Sequence, residues 1–306
     1  MDDVPYLFCD AVAGTIAEIP DYSRFLSTWE AAFKNHFANR WNFDICIGFE
    51  MGEWSYSLFK GKEGNYNNES VDFAHLKELN RKYLRINNIK FYSTYSHPSS
   101  RQEIEGIITY IAPFVNLTDL TLGENDVDES DLSVLLSYFQ HASFEKITTT
   151  CYKQCYEDFI TRHLQSDCLK EVDLNRFNWS ERFQAELQQF ILQKPFRYID
   201  CLHTNLVFGR AFFEELFEVN PSVERVTFNG NFSFALEDLK GFKRDLQSTF
   251  TDKTWKGVHK RMMAFRNRSR SFTESVQIGW KRNDGVGVTV SGHVARNVNS
   301  VVLFMK

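Results

Sequence analysis

The sequence predicts an α/β chain of stacked strand–helix units, a solenoid with a parallel inner sheet and outer helices. A helical N-terminal module and a β-rich C-terminal cap flank it. Three observations predict this. An apolar-x-x-apolar-x-apolar pattern recurs with starts at 117, 144, 169, 196 and 223, which are 25–27 residues apart. An amphipathic helical stripe follows most of these runs. The 306 residues also carry 29 Phe against 6 Pro, aromatic bulk that calls for long elements around a continuous core.

The strand runs read Leu117/Leu120/Leu122, Phe144/Ile147/Thr149, Leu169/Val172/Leu174, Phe196/Ile199/Cys201 and Val223/Val226/Phe228. Thr149 alone among these is not apolar, and of the residues between them only Tyr198 is not plainly polar. Such alternation buries one strand face and wets the other. Helical stripes follow at Leu132/Leu135/Leu136/Phe139, Tyr156/Phe159/Ile160/His163, Phe183/Leu187/Phe190/Ile191 and Phe208/Phe212/Leu216/Phe217. Upstream, Ile86/Ile89/Phe91 followed by Ile104/Ile107/Ile108/Ile111 makes one more unit. A unit with one apolar strand face and one apolar helix stripe cannot bury both alone, so neighbours must stack.

Period and pattern together resemble the helix-containing leucine-rich repeats over residues 84–235. The Asn that usually follows the strand in that family stands here as Asn125 and Asn231, with Tyr152, Phe177 and Thr204 in the other units. A doubly wound α/β domain is the alternative reading. Four segments follow: a helical module at 1–40, a hairpin plus helix at 41–83, the repeats at 84–235, and a C-terminal helix and β-rich cap at 236–306.

Residues 1–40 read as short helices, Val4 to Ile19 and Phe25 to Phe37, broken at Pro20. Val4-Pro5 opens the segment, Val12 and Ile16 supply aliphatics, and Trp29 lies 24 residues after Pro5, followed by Phe33. This arrangement resembles an F-box, with Val for the usual Leu and a middle two residues shorter. The resemblance implies that Pro5, Tyr6, Leu7 and Phe8 dock the small adaptor that leads to a cullin ubiquitin ligase. It also implies that Trp29 and Phe33 pack inside the module. F-box and leucine-rich repeats together resemble large families of divergent nematode proteins. A plain helical cap on the first repeat is the other reading of the same residues.

Residues 41–60 alternate around Met51-Gly52-Glu53 as a hairpin. Phe73, Leu76, Leu79 and Tyr83 mark a short helix. Beyond the repeats, Leu236 to about Phe250 reads as a helix. Lys253–Arg270 holds seven Lys/Arg and no acid. Strand-like runs 275–281, 286–294 and 300–305 then follow, the first two joined at Asp284-Gly285.

Composition narrows the function classes. The net charge is −5, against the strongly basic surface of a nucleic-acid binder. No apolar run approaches the ~18 residues that span a bilayer, and the acidic start lacks the basic and apolar parts of a signal peptide. A cytoplasmic or nuclear location is therefore expected. The six Cys are too sparse for a disulfide scaffold and contain no C-x-x-C. Cys151 and Cys155 sit four apart without further ligands, and His141, His163 and His203 fall in different units, so no metal or other cofactor is expected. The run Glu124, Asp126, Asp128, Glu129, Asp131 lacks the Gly and Glu of a calcium loop. No phosphate-binding, zinc-protease or nucleophile-elbow motif occurs.

The surface left to carry function is the polar strand face. Its columns hold Asp119, Lys146, Glu171, Tyr198 and Arg225 in one line and Thr121, Thr148, Asp173, Asp200 and Thr227 in the next. The sequence thus predicts a non-enzymatic protein-recognition module that holds a protein ligand on this face. As an F-box-like protein it would be a substrate-recognition subunit of a cullin ubiquitin ligase; the alternative is a leucine-rich-repeat scaffold or inhibitor without a ligase role.

Overall fold

In a computed structural model the described residues are 4–16, 21, 28–62, 69–92, 97–219, 226–233, 247–251, 274–281, 287–295 and 298–305. The chain is α/β, with a mostly parallel central sheet, and divides into two compact units, Met1–Leu169 and Lys170–Lys306.

The first unit opens with helices α1 (Tyr6–Thr15) and α2 (Thr28–Asn39). Strands β1 (Trp41–Glu50) and β2 (Glu53–Lys62) form the expected hairpin. Its tip, Met51 and Gly52, has φ of 52° and 87°. Positive φ at both central residues is the type I′ pattern that matches strand twist. Next come β3 (Glu69–Val71), α3 (Phe73–Glu78), a 3-10 turn at Arg81–Tyr83, and β4 (Leu84–Phe91). The predicted helix over 73–83 therefore breaks at Leu79, where the chain turns extended. Strand β5 (His97–Ser99), α4 (Arg101–Ile111), β6 (Asn116–Leu122), α5 (Glu129–Ser137), β7 (Ser143–Thr149) and α6 (Gln154–His163) complete the unit.

Strands β1, β4, β6 and β7 lie parallel in that order, and β2 runs antiparallel on the outer side of β1. The far edge of β2 is covered in two short pieces, by β3 and by β5. Short pieces of this kind blunt an edge that would otherwise template foreign strands.

The helical stripes fall where the 3.6-residue period puts them. Ser100 caps α4 through its side chain, and Ile104, Ile107, Ile108 and Ile111 are all buried. Leu132, Leu135, Leu136 and Phe139 are buried likewise, as are Tyr156, Phe159, Ile160 and His163. Within β6 the strand register differs from expectation. Leu117 was expected inside, yet it has φ 54° and lies half-buried, while Thr118 is fully buried. The left-handed residue slips the β6–β7 register, and the Thr118 hydroxyl donates to the Ile86 carbonyl at 2.6 Å. The buried polar group is thereby satisfied.

In the second unit, β8 (Glu171–Asn175), α7 (Glu181–Gln193), β9 (Tyr198–His203), β10 (Val207–Phe208), α8 (Arg210–Val219) and β11 (Val226–Phe232) repeat the strand–helix alternation. Strands β8, β9 and β11 are parallel neighbours. Phe208 was expected on the helical stripe. It sits instead on β10, paired with Phe232 of β11, and is buried there.

The remaining strands are β12 (Gln247–Thr251), β13 (Glu274–Lys281), β14 (Gly287–Ala295) and β15 (Val298–Met305). They form an antiparallel set in which β15 lies between β11 and β14. The helix expected up to Phe250 is replaced at its end by β12. Its Ser-Thr-Phe-Thr run suits a strand, and pairing with β13 overrides the helical period. The basic segment 253–270 and the start of that expected helix lie outside the described residues.

Candidate functional site

Two surfaces gather the residues singled out by sequence. The first is the open face of the parallel strands. In the first unit, Asn88 pairs in register with Asp119, and Asp119 with Lys146; Lys90, Thr121 and Thr148 follow the same lines. In the second unit, Glu171 stands beside Tyr198, and Asp173 beside Asp200. All of these side chains are half-buried, whereas the alternate residues Leu120, Leu122, Ile147, Val172, Leu174, Ile199 and Cys201 are buried. A sheet sandwiched between helices on both sides would hold few charged side chains among the parallel strands.

The columns need one correction in the second unit. Thr227 stands beside Tyr198, not beside Asp200, whose neighbour is Asn229. The step from β9 to β11 is thus two residues longer than expected. A shift of two preserves the face and only slides the pairing. Arg225, the expected neighbour of Tyr198, lies outside the described residues. Another register shift puts His203 beside Asn175.

Local bonds organise this face. The Tyr198 hydroxyl donates to Asp200 at 2.9 Å, Arg197 pairs with Glu171 at 3.3 Å, and Asn88 donates to Asp44 at 2.7 Å. Behind it, burial first, then the charges of Asp200 and Asp173, raise the Cys201 thiol well above its ordinary range. Burial, with Glu129 adding, pushes Cys155 up to about 12, so near neutral pH this buried thiol stays protonated. Among the described residues no group of three His, Cys, Asp or Glu is placed to hold a metal ion. No described helix is long and apolar enough to cross a membrane.

The loops leaving the strands are fixed by residues at or just after the next strand. Tyr156 donates to the Gly123 carbonyl at 3.0 Å, and Lys153 donates to the carbonyls of Asn125 and Val127. Asn205 accepts from the backbone N–H of Asn178 and of Trp179 and donates to the Trp179 carbonyl. Asn231 donates to the carbonyls of Thr204 and Leu206. Sequence reasoning looked for Asn at position 204 and missed Asn205, one residue on; its signal was the same side chain slipped by one.

The second surface is α1. Tyr6, Leu7 and Phe8 are 40 %, 78 % and 56 % exposed, and Pro5 is exposed beside them. Cys9 and Ala13, on the other side of the helix, pack with Ala32 and Phe33 of α2, with Trp29 partly buried against them. Trp29 meets Phe8 edge-on and stacks on Phe33. The two aromatics thus pack inside the module, as expected, and the apolar start of α1 faces outward.

A polar cluster absent from the sequence reading seats this module. Asp10 pairs with Lys82 at 2.6 Å and with His36 at 3.2 Å, and Asn35 donates to Tyr83 at 2.9 Å. The fully buried Arg40 donates to the Ala13 carbonyl at 2.8 Å, near the end of α1, where carbonyls lack helical partners. Burial raises the Asp10 carboxyl, but Lys82 and His36 more than offset this and hold it below its ordinary range.

Comparison with protein-family models, curated proteins and solved structures gives no match.

Proposed function

We propose that this protein is a non-enzymatic recognition protein of leucine-rich-repeat-like units that hold a protein ligand on the polar face of their strands. We further propose that α1 is its adaptor-docking element, which would make the chain a substrate-recognition subunit of a cullin ubiquitin ligase. One observation carries the second part: Tyr6, Leu7 and Phe8 stay exposed while Cys9, Ala13, Ala32 and Phe33 pack together behind them. A cap serving only the repeats would bury its apolar side chains. Adjacent exposed apolar side chains on a helix are what a partner covers.

The strand face supports the recognition part through its mixture of charged, hydroxyl and aromatic side chains. Tyr198 is of a type that concentrates binding energy at interfaces. The scaffold or inhibitor reading has its own support in the Asp10–Lys82 and Asn35–Tyr83 bonds, which tie the helices down as a cap would be tied.

The test is binding of the purified adaptor subunit to the full chain, measured by biolayer interferometry, beside a Leu7→Asp/Phe8→Asp variant. The ligase reading expects binding to the unaltered chain and its loss in the variant. No binding by the unaltered chain overturns that reading and leaves the recognition part standing as a scaffold.

A further inference from the structure

His36 is the one titratable group of the polar cluster to which nothing above assigns a role. Its ring is fully buried, with Nε2 3.2 Å from Asp10 Oδ1. Lys82 holds the same carboxylate ionised, so Asp10 can only accept. The proton of the neutral ring therefore sits on Nε2, and Nδ1 carries the lone pair. Nδ1 is sealed from solvent and has no hydrogen-bond partner among the described residues. An incoming proton can only go to Nδ1, where it would create a buried N–H with no acceptor. Leaving such a donor unsatisfied is costly.

Charges of both signs face the ring. Asp10 faces it from α1, Arg40 from the end of α2, and Lys82 from the turn before β4. The Tyr83 ring meets it edge-on, 5.1 Å between centroids. Arg85 comes within 3.7 Å of where a Gly14 Cβ would stand, and the imidazole within 3.5 Å of the same point. Among the described residues, Arg40 and Lys82 act against a proton on the ring and the Asp10 carboxylate favours it.

We propose that His36 is a proton-operated latch: protonation at Nδ1 parts α2 from α1 and from the Arg81–Arg85 segment. The proton comes from solvent and enters as the helices part, because the closed site has no place for it. Burial first, then Arg40 and Lys82, hold the imidazole below its ordinary 6.5 against the pull of Asp10. A depressed value means that the seated form is favoured above 6.5 and loses ground as pH falls below it. Asp10 titrates below 3.8 and stays charged throughout that window. The latch holds whether or not α1 docks an adaptor.

Cys9 reports the opening, since it is fully buried between α1 and α2. Its modification by methyl methanethiosulfonate is followed peptide by peptide in the intact full-length chain, for the unaltered protein and for His36→Gln, at pH 7.5 and pH 5.5. Gln keeps an N–H for Asp10 and does not titrate. Comparing the two proteins at the same pH cancels the reagent's own pH dependence. The latch expects equal rates at pH 7.5 and a faster unaltered protein at pH 5.5, by about tenfold per pH unit below the point where the open form's His36 titrates. A ratio unchanged between the two pH values overturns it. Should the Gln variant fail to fold, an NMR titration of the unaltered chain decides. A His36 ring that takes up its proton together with faster α1 amide exchange supports the latch, and a ring that titrates with α1 unmoved overturns it.

Discussion

Asn205 grips the Trp179 residue at both of its backbone groups: its Oδ1 accepts the Trp179 N–H at 3.0 Å and its Nδ2 donates to the Trp179 carbonyl at 2.8 Å. The same oxygen accepts from Asn178 N–H, where the backbone has φ 100°. Asn205→Ala removes all three bonds from a loop whose backbone is already strained. At about 0.5–1.5 kcal/mol per bond, the loss should be about 2 kcal/mol. Asn205→Asp keeps both accepted bonds and should lose about half as much. Urea unfolding of the two variants checks the order; equal losses would mean that the accepted bonds do not matter.

A glycine contrast tests packing on the first unit. A Cβ on Gly123 would lie 2.7 Å from Tyr92 Cβ and 3.0 Å from the Phe91 carbonyl oxygen, neither of which is the loose end of a side chain. Gly123→Ala should therefore destabilise by about 1–3 kcal/mol. Gly106, inside α4, has nothing within 4 Å of its Cβ position, so Gly106→Ala should stabilise by roughly 0.5–1 kcal/mol. Melting temperatures that shift in the same direction would refute the assigned geometry.

Leu174 and Asp173 are neighbours in β8 on opposite faces. Leu174→Asp places an unpaired carboxylate in the buried layer and should cost about 3 kcal/mol or more. Asp173→Ala, on the open face, should stay within about 1 kcal/mol. Chemical denaturation distinguishes them, and similar midpoints would reverse the face assignment.

On the N-terminal module, Leu7→Ser should change stability by less than about 0.5 kcal/mol, since Leu7 is 78 % exposed. Phe33→Ala should cost about 3–5 kcal/mol, because its ring is buried under Trp29. A stability loss on Leu7→Ser would show that Leu7 has a partner within the chain.

His163 gives the fold its own acid sensitivity. Burial, with Arg162 adding, brings its imidazole down to about 4 from 6.5. The folded form is thus fully favoured above pH 6.5 and loses stability as pH falls from there toward 4. At 1.36 kcal/mol per unit, the loss across that window is about 3 kcal/mol. His163→Leu should flatten the change in urea midpoint between pH 7 and pH 4.5; an unchanged slope would assign it elsewhere.

The parallel strands and the helices between them were legible because apolar positions spaced 25–27 residues apart write the buried strand positions and helix stripes directly into the hydrophobic pattern. Ile104 and its partners on α4 and Leu187 and its partners on α7 needed only spacing. What spacing could not show was register. The slip at Leu117 depends on one left-handed residue, and the longer step to β11 depends on how the loop before it closes. Phe208 was misplaced because a buried two-residue strand and a helix start look alike in an apolar pattern. The candidate strand face followed from alternation, and the exposed residues of α1 were already named. The Asp10–His36–Lys82 cluster was not legible, since its members are tens of residues apart and each alone reads as a surface charge.

The seat of β15 between β11 and β14 also shapes the order in which the chain can be finished. Strand β11 ends at Phe232, and the strand that covers its free edge begins only at Val298. At roughly 5–20 residues per second, a ribosome leaves that edge bare for several seconds while β12, β13 and β14 emerge. These earlier strands must wait outside until β15 arrives to bridge them to β11. The β11–β15 pairing therefore closes late, whereas β1, β4, β6 and β7 can add one after another as they are made.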